Sequence, residues 1–257
     1  MPSREQIINF GAGPASLPTP VLEQASKDLL NYNSLGMSLA EISHRSSHAN
    51  AILTSANTHL RTLLSIPDTH EIIWQQGGGT AQFSMVVYNL VAHFVARGGD
   101  PQDMWLDYIV TGGWSKKACE EAKRLGMGKV NVVTDSKARD GRFGGIAPEG
   151  EWKWSDPRKT AFVYYCDNET VDGVEFPGFL ERVDPQVPVV CDMSSNILSR
   201  EVDVKKFAVI YVRSLSPLFP VPNSNSMRPT SQFLVSVLFL ELTSTLCLNI
   251  SYQFTID

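Results

Sequence analysis

The sequence predicts an α/β protein built on a mainly parallel sheet covered on both faces. Two observations carry that expectation. Short apolar, β-rich runs alternate with segments of helical period from about residue 20 to residue 211, the order that builds parallel sheets. The 257 residues are also 43% hydrophobic, enough to fill the core such a sheet requires.

Taken in order, PVLEQASKDLLN (20–31) places apolar side chains at helical spacing after a Thr-Pro start, which suits a helix N-terminus. Residues 48–66 repeat the pattern, with Ile52, Leu53, Leu60, Leu63 and Leu64 near one face. EIIWQQ (71–76) reads as a strand that runs into GGGT, and AQFSMVVYNLVAHF as the helix after it. DYIVTGG (107–113) is the next strand, and SKKACEEAKRLG (115–126) a helix with a glycine stop. KVNVVTD (129–135), TAFVYYCD (160–167), VPVVCDMSS (187–195) and FAVIY (207–211) continue the strand series. The one sharp compositional boundary follows Tyr211, where a tail without Gly or Lys begins. Residues 212–257 lack any period and are expected to be poorly ordered. The apolar run FLVSVLFLEL (233–242) fits a short helix or a strand equally well.

Composition excludes several classes of function. A net charge of −5 argues against a nucleic-acid or anionic-membrane surface, which needs clustered Lys and Arg. MPSREQIINF has no apolar segment of the signal-peptide kind, and FLVSVLFLEL is far short of the roughly 18–20 residues that span a bilayer. The four cysteines (119, 166, 191, 247) show no CxxC spacing, so neither a zinc site nor a redox pair is indicated. A reduced, cytoplasmic, enzyme-like protein is the expectation.

Open α/β sheets bind ligands outside the carboxyl ends of their strands. GGGT (77–80) sits between a strand and a helix, where bare amides and a helix N-terminus hold phosphate, although a glycine-rich turn is often only a tight turn. It does not fit the nucleotide P-loop pattern, and no GxGxxG follows the first strand, which removes a dinucleotide-binding domain. TGGWS (111–115) puts Trp114 just past a strand end, either as packing or as a flat stacking surface. DNET (167–170) offers the Thr170 hydroxyl. Asp192 ends a run too apolar for a solvated strand, so it is either a cap or a partly buried carboxylate seeking a cation. In ISHRSSHAN (42–50), His44 and His48 lack a third ligand for a metal, and Arg45 reads better as an anion clamp. Phosphate, a stacking ring, a ring hydroxyl and a ring nitrogen needing a carboxylate together describe pyridoxal 5'-phosphate.

NFGAGPASLP, ISHRS, QQGGGTAQF, TGGWS, YCDNETVDGVEF and DMSSNILSREVDVKKFAVIY closely resemble the phosphoserine aminotransferase family, over about residues 7–211. The resemblance implies residues 1–211 of a fold-type-I aminotransferase large domain, with later strands and the small C-terminal domain absent. It implies that the amides of Gly79 and Thr80 hold the cofactor phosphate, with Ser194 also at a phosphate contact. Trp114 would stack on the ring, Thr170 would bond its phenolic oxygen, and Asp192 would face its nitrogen. His44 and Arg45 would bind the anionic group of glutamate or 3-phosphohydroxypyruvate. The family is cytosolic and homodimeric.

After FAVIY the family reads AGAQKN, whose Lys forms the Schiff base with the cofactor. This chain reads VRSLSP, which aligned without a gap puts Ser216 at the lysine's position. Lys205 and Lys206 precede the strand; five residues at ~3.3 Å each leave them about 16 Å from the site, beyond a lysine's reach. The abrupt change fits a coding sequence read across a splice boundary. The expectation is therefore a family member incomplete as a catalyst, the alternative being a non-catalytic isoform that binds the cofactor weakly or pairs with an intact subunit.

Overall fold

The computed structural model describes residues 3–8, 17–76, 78–213 and 235–241. The described residues divide into two compact units, one within residues 1–63, the other of residues 64–213 with 235–241.

The described part of the first unit is helical. Helix α1 (Thr19–Leu30) starts on Pro20, whose missing N–H would have had no helical partner. No α1 residue is buried, and Leu29 and Leu30 are exposed. A short turn of helix, Leu39–Glu41, is held by a reciprocal cap: Ser38 Oγ accepts from Ala40 N, and Glu41 accepts from Ser38 N at 2.7 Å. Helix α2 (Ser47–Leu64) follows. Of the face expected from its spacing, Leu60 and Leu64 are buried, whereas Leu53 and Leu63 are exposed.

The second unit is a seven-stranded sheet. Its strands are β1 (His70–Gln76), β2 (Trp105–Val110), β3 (Lys129–Asp135), β4 (Thr160–Cys166), β7 (Val189–Asp192), β8 (Val209–Val212) and β9 (Val235–Glu241). A two-stranded hairpin, β5 (Asn168–Glu169) with β6 (Val174–Glu175), stands apart from it. The spatial order is β1-β9-β8-β7-β4-β2-β3. The pairs from β8 through β3 are parallel, and β9 pairs antiparallel with both β8 and β1. Strands β4, β7 and β8 are buried at every residue and β2 at all but its first, as central strands of a parallel sheet must be.

Helices α3 (Gly79–Ala96) and α4 (Gly113–Leu125) close one face. Phe83, Val87 and Leu90 of α3 and Ala118 and Ala122 of α4 form one core with Leu106, Tyr108, Phe162, Tyr164, Val190 and Tyr211 of the strands. The alternate residues of those strands are buried as well. Tyr165 packs edge-on to Phe176 at 5.0 Å. Asp107, 1% exposed, accepts hydrogen bonds from Ser155 N, Ser155 Oγ and Asn131 Nδ2. A buried carboxylate with three donors is stable without a cation.

Within the tail, residues 235–241 form β9, hydrogen-bonded on both sides between β8 and β1. The apolar run left open between helix and strand is a strand, because the slot it fills offers ladder partners on both edges. Ser216 and the rest of the tail beyond Arg213 lie outside the described residues. The five-residue helix α5 (Ser136–Asp140) was not anticipated; it starts where Asp135 Oδ1 accepts from Lys137 N and Ala138 N, and stops at left-handed Gly141.

Candidate functional site

The site of the second unit forms where β2, β4, β7 and β8 end. Asp192 closes β7 and is 5% exposed. Its Oδ1 accepts from Ser194 N at 2.9 Å and Ser194 Oγ at 2.5 Å. Burial pushes the Asp192 carboxyl above the ordinary range, against the opposing pull of the Ser194 and Tyr211 hydrogen bonds and the positive charge of Arg213. Tyr211 stands opposite Asp192 in the β7–β8 register, and its hydroxyl lies 2.7 Å from that of Tyr164 on β4. Phe83 of α3 meets both tyrosines edge-on. The carboxylate is thus set at the end of an aromatic wall, which holds it in place and keeps water from it.

The loop after β7 is fixed from behind. Asn196 Nδ2 donates to Asp167 Oδ2 at 2.5 Å, and Arg200 bridges Asp167 and the Phe176 carbonyl. This ties the DMSSNILSR segment to the start of DNET and sets the position of Ser194.

The two helix N-termini facing the strand ends differ. Helix α4 is capped from outside. Trp114 N and Ser115 N donate to the Glu169 carboxylate, each at 2.8 Å, and Gly113 N donates to Asp172 Oδ2 at 2.7 Å. Glu169 is 0% exposed, and burial raises its carboxyl above the usual value against those hydrogen bonds. Gly112 is required by this arrangement: a Cβ there would lie 2.4 Å from Glu169 Cδ and Cγ. Helix α3 begins at Gly78, which has no side chain to cap it. Its first-turn amides are therefore the ones suited to an anion. In the same turn Gln82 is fully buried, and among the described residues neither of its amide atoms has a hydrogen-bond partner, nor does the buried Thr111 hydroxyl at the end of β2. Each such group costs about 1–3 kcal/mol while it stays unpartnered.

One residue, Arg213, links four of the six residues predicted to hold the cofactor. The Arg213 guanidinium carbon lies 4.5 Å from the centroid of the Trp114 ring. Its Cδ is 3.0 Å from where a Cβ on Gly79 would be. Its backbone N–H donates to Ser194 Oγ at 2.9 Å, and its charge acts on Asp192. Gly79, Trp114, Asp192 and Ser194 therefore converge. Thr80 follows Gly79 in the first turn of α3, and Thr170 follows Glu169 at the hairpin turn. His44 and Arg45 belong to the first unit, in an exposed turn between the Leu39–Glu41 helix and α2, with Arg45 N donating to Ser43 Oγ. Lys205 and Lys206 lie in a helical turn before β8, at its amino end.

Sequence reasoning missed Glu169, Asp172 and Arg213. The first two had a legible signal: a helix entered through Gly-Gly has no cap of its own, so its amides need acceptors from elsewhere. Arg213 had none, since its role depends on segments that meet only in the fold.

A family model described as class-V aminotransferase matches residues 7–215. A phosphoserine aminotransferase of Saccharomyces cerevisiae is 46% identical over 210 residues, which is 80% of this chain and 53% of that protein. One of Drosophila melanogaster is 43% identical over 214 residues, 83% of this chain and 54% of that protein. The crystal structure of a pyridoxal-phosphate-bound phosphoserine aminotransferase from Trichomonas vaginalis superposes with a TM-score of 0.77 at 30% identity, covering 97% of this chain and 69% of that one. The chain spans about half the length of the curated relatives it matches.

Proposed function

The chain belongs to the class-V aminotransferase family and has its fold-type-I sheet, and on that premise we propose that it is the cofactor-holding part of a phosphoserine aminotransferase. The reaction is transfer of the amino group of glutamate to 3-phosphohydroxypyruvate, giving phosphoserine and 2-oxoglutarate in serine biosynthesis, with pyridoxal 5'-phosphate as cofactor. The observation that carries the reading is Asp192, a buried carboxylate at a strand end, linked through Arg213 to the Trp114 face and the first turn of α3.

The donor set fits this cofactor. Asp192 would hold a proton on the ring nitrogen, and Trp114 would pack on the ring. Thr170 would donate to the phenolic oxygen. The amides of Gly79 and Thr80 would take the phosphate, with Ser194 at its margin. When bound, the cofactor supplies the electron sink for the amino transfer. Arg45, with His44, would pair with the substrate's carboxylate or phosphate, which a guanidinium binds through two parallel hydrogen bonds. The homodimeric, cytoplasmic setting belongs to the same proposal.

The chain by itself does not complete this chemistry. Transamination moves a proton at the substrate α-carbon, and a positioned base contributes about 10²–10⁴-fold. Ser216 stands at the family's amine position, and a hydroxyl is neither a base of that strength nor an amine. The reading therefore includes binding of the cofactor without turnover, and pairing with an intact subunit is the setting in which the bound cofactor would be used. The test is a phosphoserine assay and borohydride trapping on chain freed of host enzyme. The expected result is no product and no single trapped lysine. Turnover, or stoichiometric trapping at one lysine, would overturn the proposal.

A further inference from the structure

We propose that Arg213 is a built-in competitor for the cofactor ring: its guanidinium occupies the Trp114 face that the ring would use. The inference rests on the cofactor reading above and deepens it by naming what regulates the site. Two side-chain contacts and one backbone hydrogen bond place the residue there. The guanidinium carbon is 4.5 Å from the Trp114 centroid, and Cδ covers Gly79 at 3.0 Å from a would-be Cβ. The backbone amide is held by Ser194 Oγ at 2.9 Å, which is itself bonded to Asp192. The side chain thus leaves the end of β8 from an anchored point and crosses the glycine surface where α3 begins.

The chemistry of the two groups explains the competition. A guanidinium is planar, permanently charged, and rich in N–H donors, and it stacks on aromatic faces. A protonated pyridine ring is also planar and cationic, with an N–H donor for a carboxylate. The Trp114 face and the Asp192 carboxylate select for those properties and accept either group. Lys117 Nζ lies 4.4 Å from the same ring centroid, so two cations already share this indole. Arg213 must leave the ring before a second flat cation can enter. A cation–π contact of ordinary strength corresponds to a penalty of about tenfold in affinity.

The experiment uses 4'-deoxypyridoxine 5'-phosphate, which has no aldehyde and so does not label surface lysines, and its non-phosphorylated form. Their affinities are measured by calorimetry for the chain, Arg213→Ala and Arg213→Lys. Competition for the ring predicts that both probes bind Arg213→Ala about tenfold more tightly than the unmodified chain, with Arg213→Lys between them. Equal affinities for all three proteins would overturn the inference and leave the cofactor reading standing. Weaker binding of the phosphorylated probe alone by Arg213→Ala would also overturn it, since Arg213 would then be a phosphate ligand. Absence of binding by every protein would overturn both. A second measurement does not depend on the variants folding: the Arg213 Nε–H resonance of the unmodified chain should be ring-shifted upfield and move when the phosphorylated probe is added. An unshifted resonance contradicts the stacking.

Discussion

Removing the Glu169 carboxylate should loosen the N-terminus of α4 and the indole it carries. Glu169→Ala deletes two hydrogen bonds to a charged acceptor, from Trp114 N and Ser115 N at 2.8 Å each. At about 1.5–3 kcal/mol apiece they would amount to roughly 3–6 kcal/mol. The carboxyl is fully buried and held above its usual range by desolvation, so part of that gain is already offset. The expected loss is about 2–4 kcal/mol. Glu169→Gln keeps one acceptor oxygen and turns an N–H₂ toward the other amide, so about half the loss remains. Gly112→Ala attacks the same cap from the other side, because its Cβ would fall 2.4 Å from Glu169 Cδ and Cγ. Urea unfolding of the two single variants and the double variant forms a cycle. The clash disappears when Glu169 is already Ala, so Gly112→Ala should destabilise the Glu169→Ala variant much less than it destabilises the parent. Additive losses would refute the argument that Gly112 is glycine for the sake of Glu169.

Asp192→Asn should be as stable as the parent at neutral pH, or more so. Both Ser194 hydrogen bonds can still be accepted and a desolvated charge disappears. The parent's raised Asp192 value means that this contribution to stability is fully present below about 3.8 and is lost as pH rises through the folded value, a slope the Asn variant should lack in urea melts. Glu121 has the opposite sign. Arg124, then Ser84, holds its carboxyl down at about 2 against an ordinary 4.5. Its contribution is present above about 4.5 and is lost as pH falls toward about 2, so Glu121→Gln should flatten the acid limb of the stability profile.

Much of this site could be read from local sequence because its parts are local signals. GGGT opens α3, TGGWS opens α4, and VVCDMSS ends β7 on its aspartate; in each, a strand's apolar run stops at glycine or a polar residue. The elements that escaped are those decided over distance. Strand β9 takes its state from partners in β8 and β1, the latter some 165 residues away, and an apolar run alone does not reveal them. Glu169 caps amides more than fifty residues before it. Arg213 carries no local signal, and only the packed strand ends bring it over Trp114 and Gly79.

The most direct measurement of the central claim is equilibrium dialysis of 4'-deoxypyridoxine 5'-phosphate against the chain and against Asp192→Asn. A buried carboxylate facing a ring nitrogen makes a charge-assisted hydrogen bond, worth about tenfold or more in affinity. The account predicts one saturable site in the chain, weakened at least about tenfold in Asp192→Asn although that variant is no less stable. Equal binding by both proteins would contradict it, since the ring would then be held somewhere other than the end of β7.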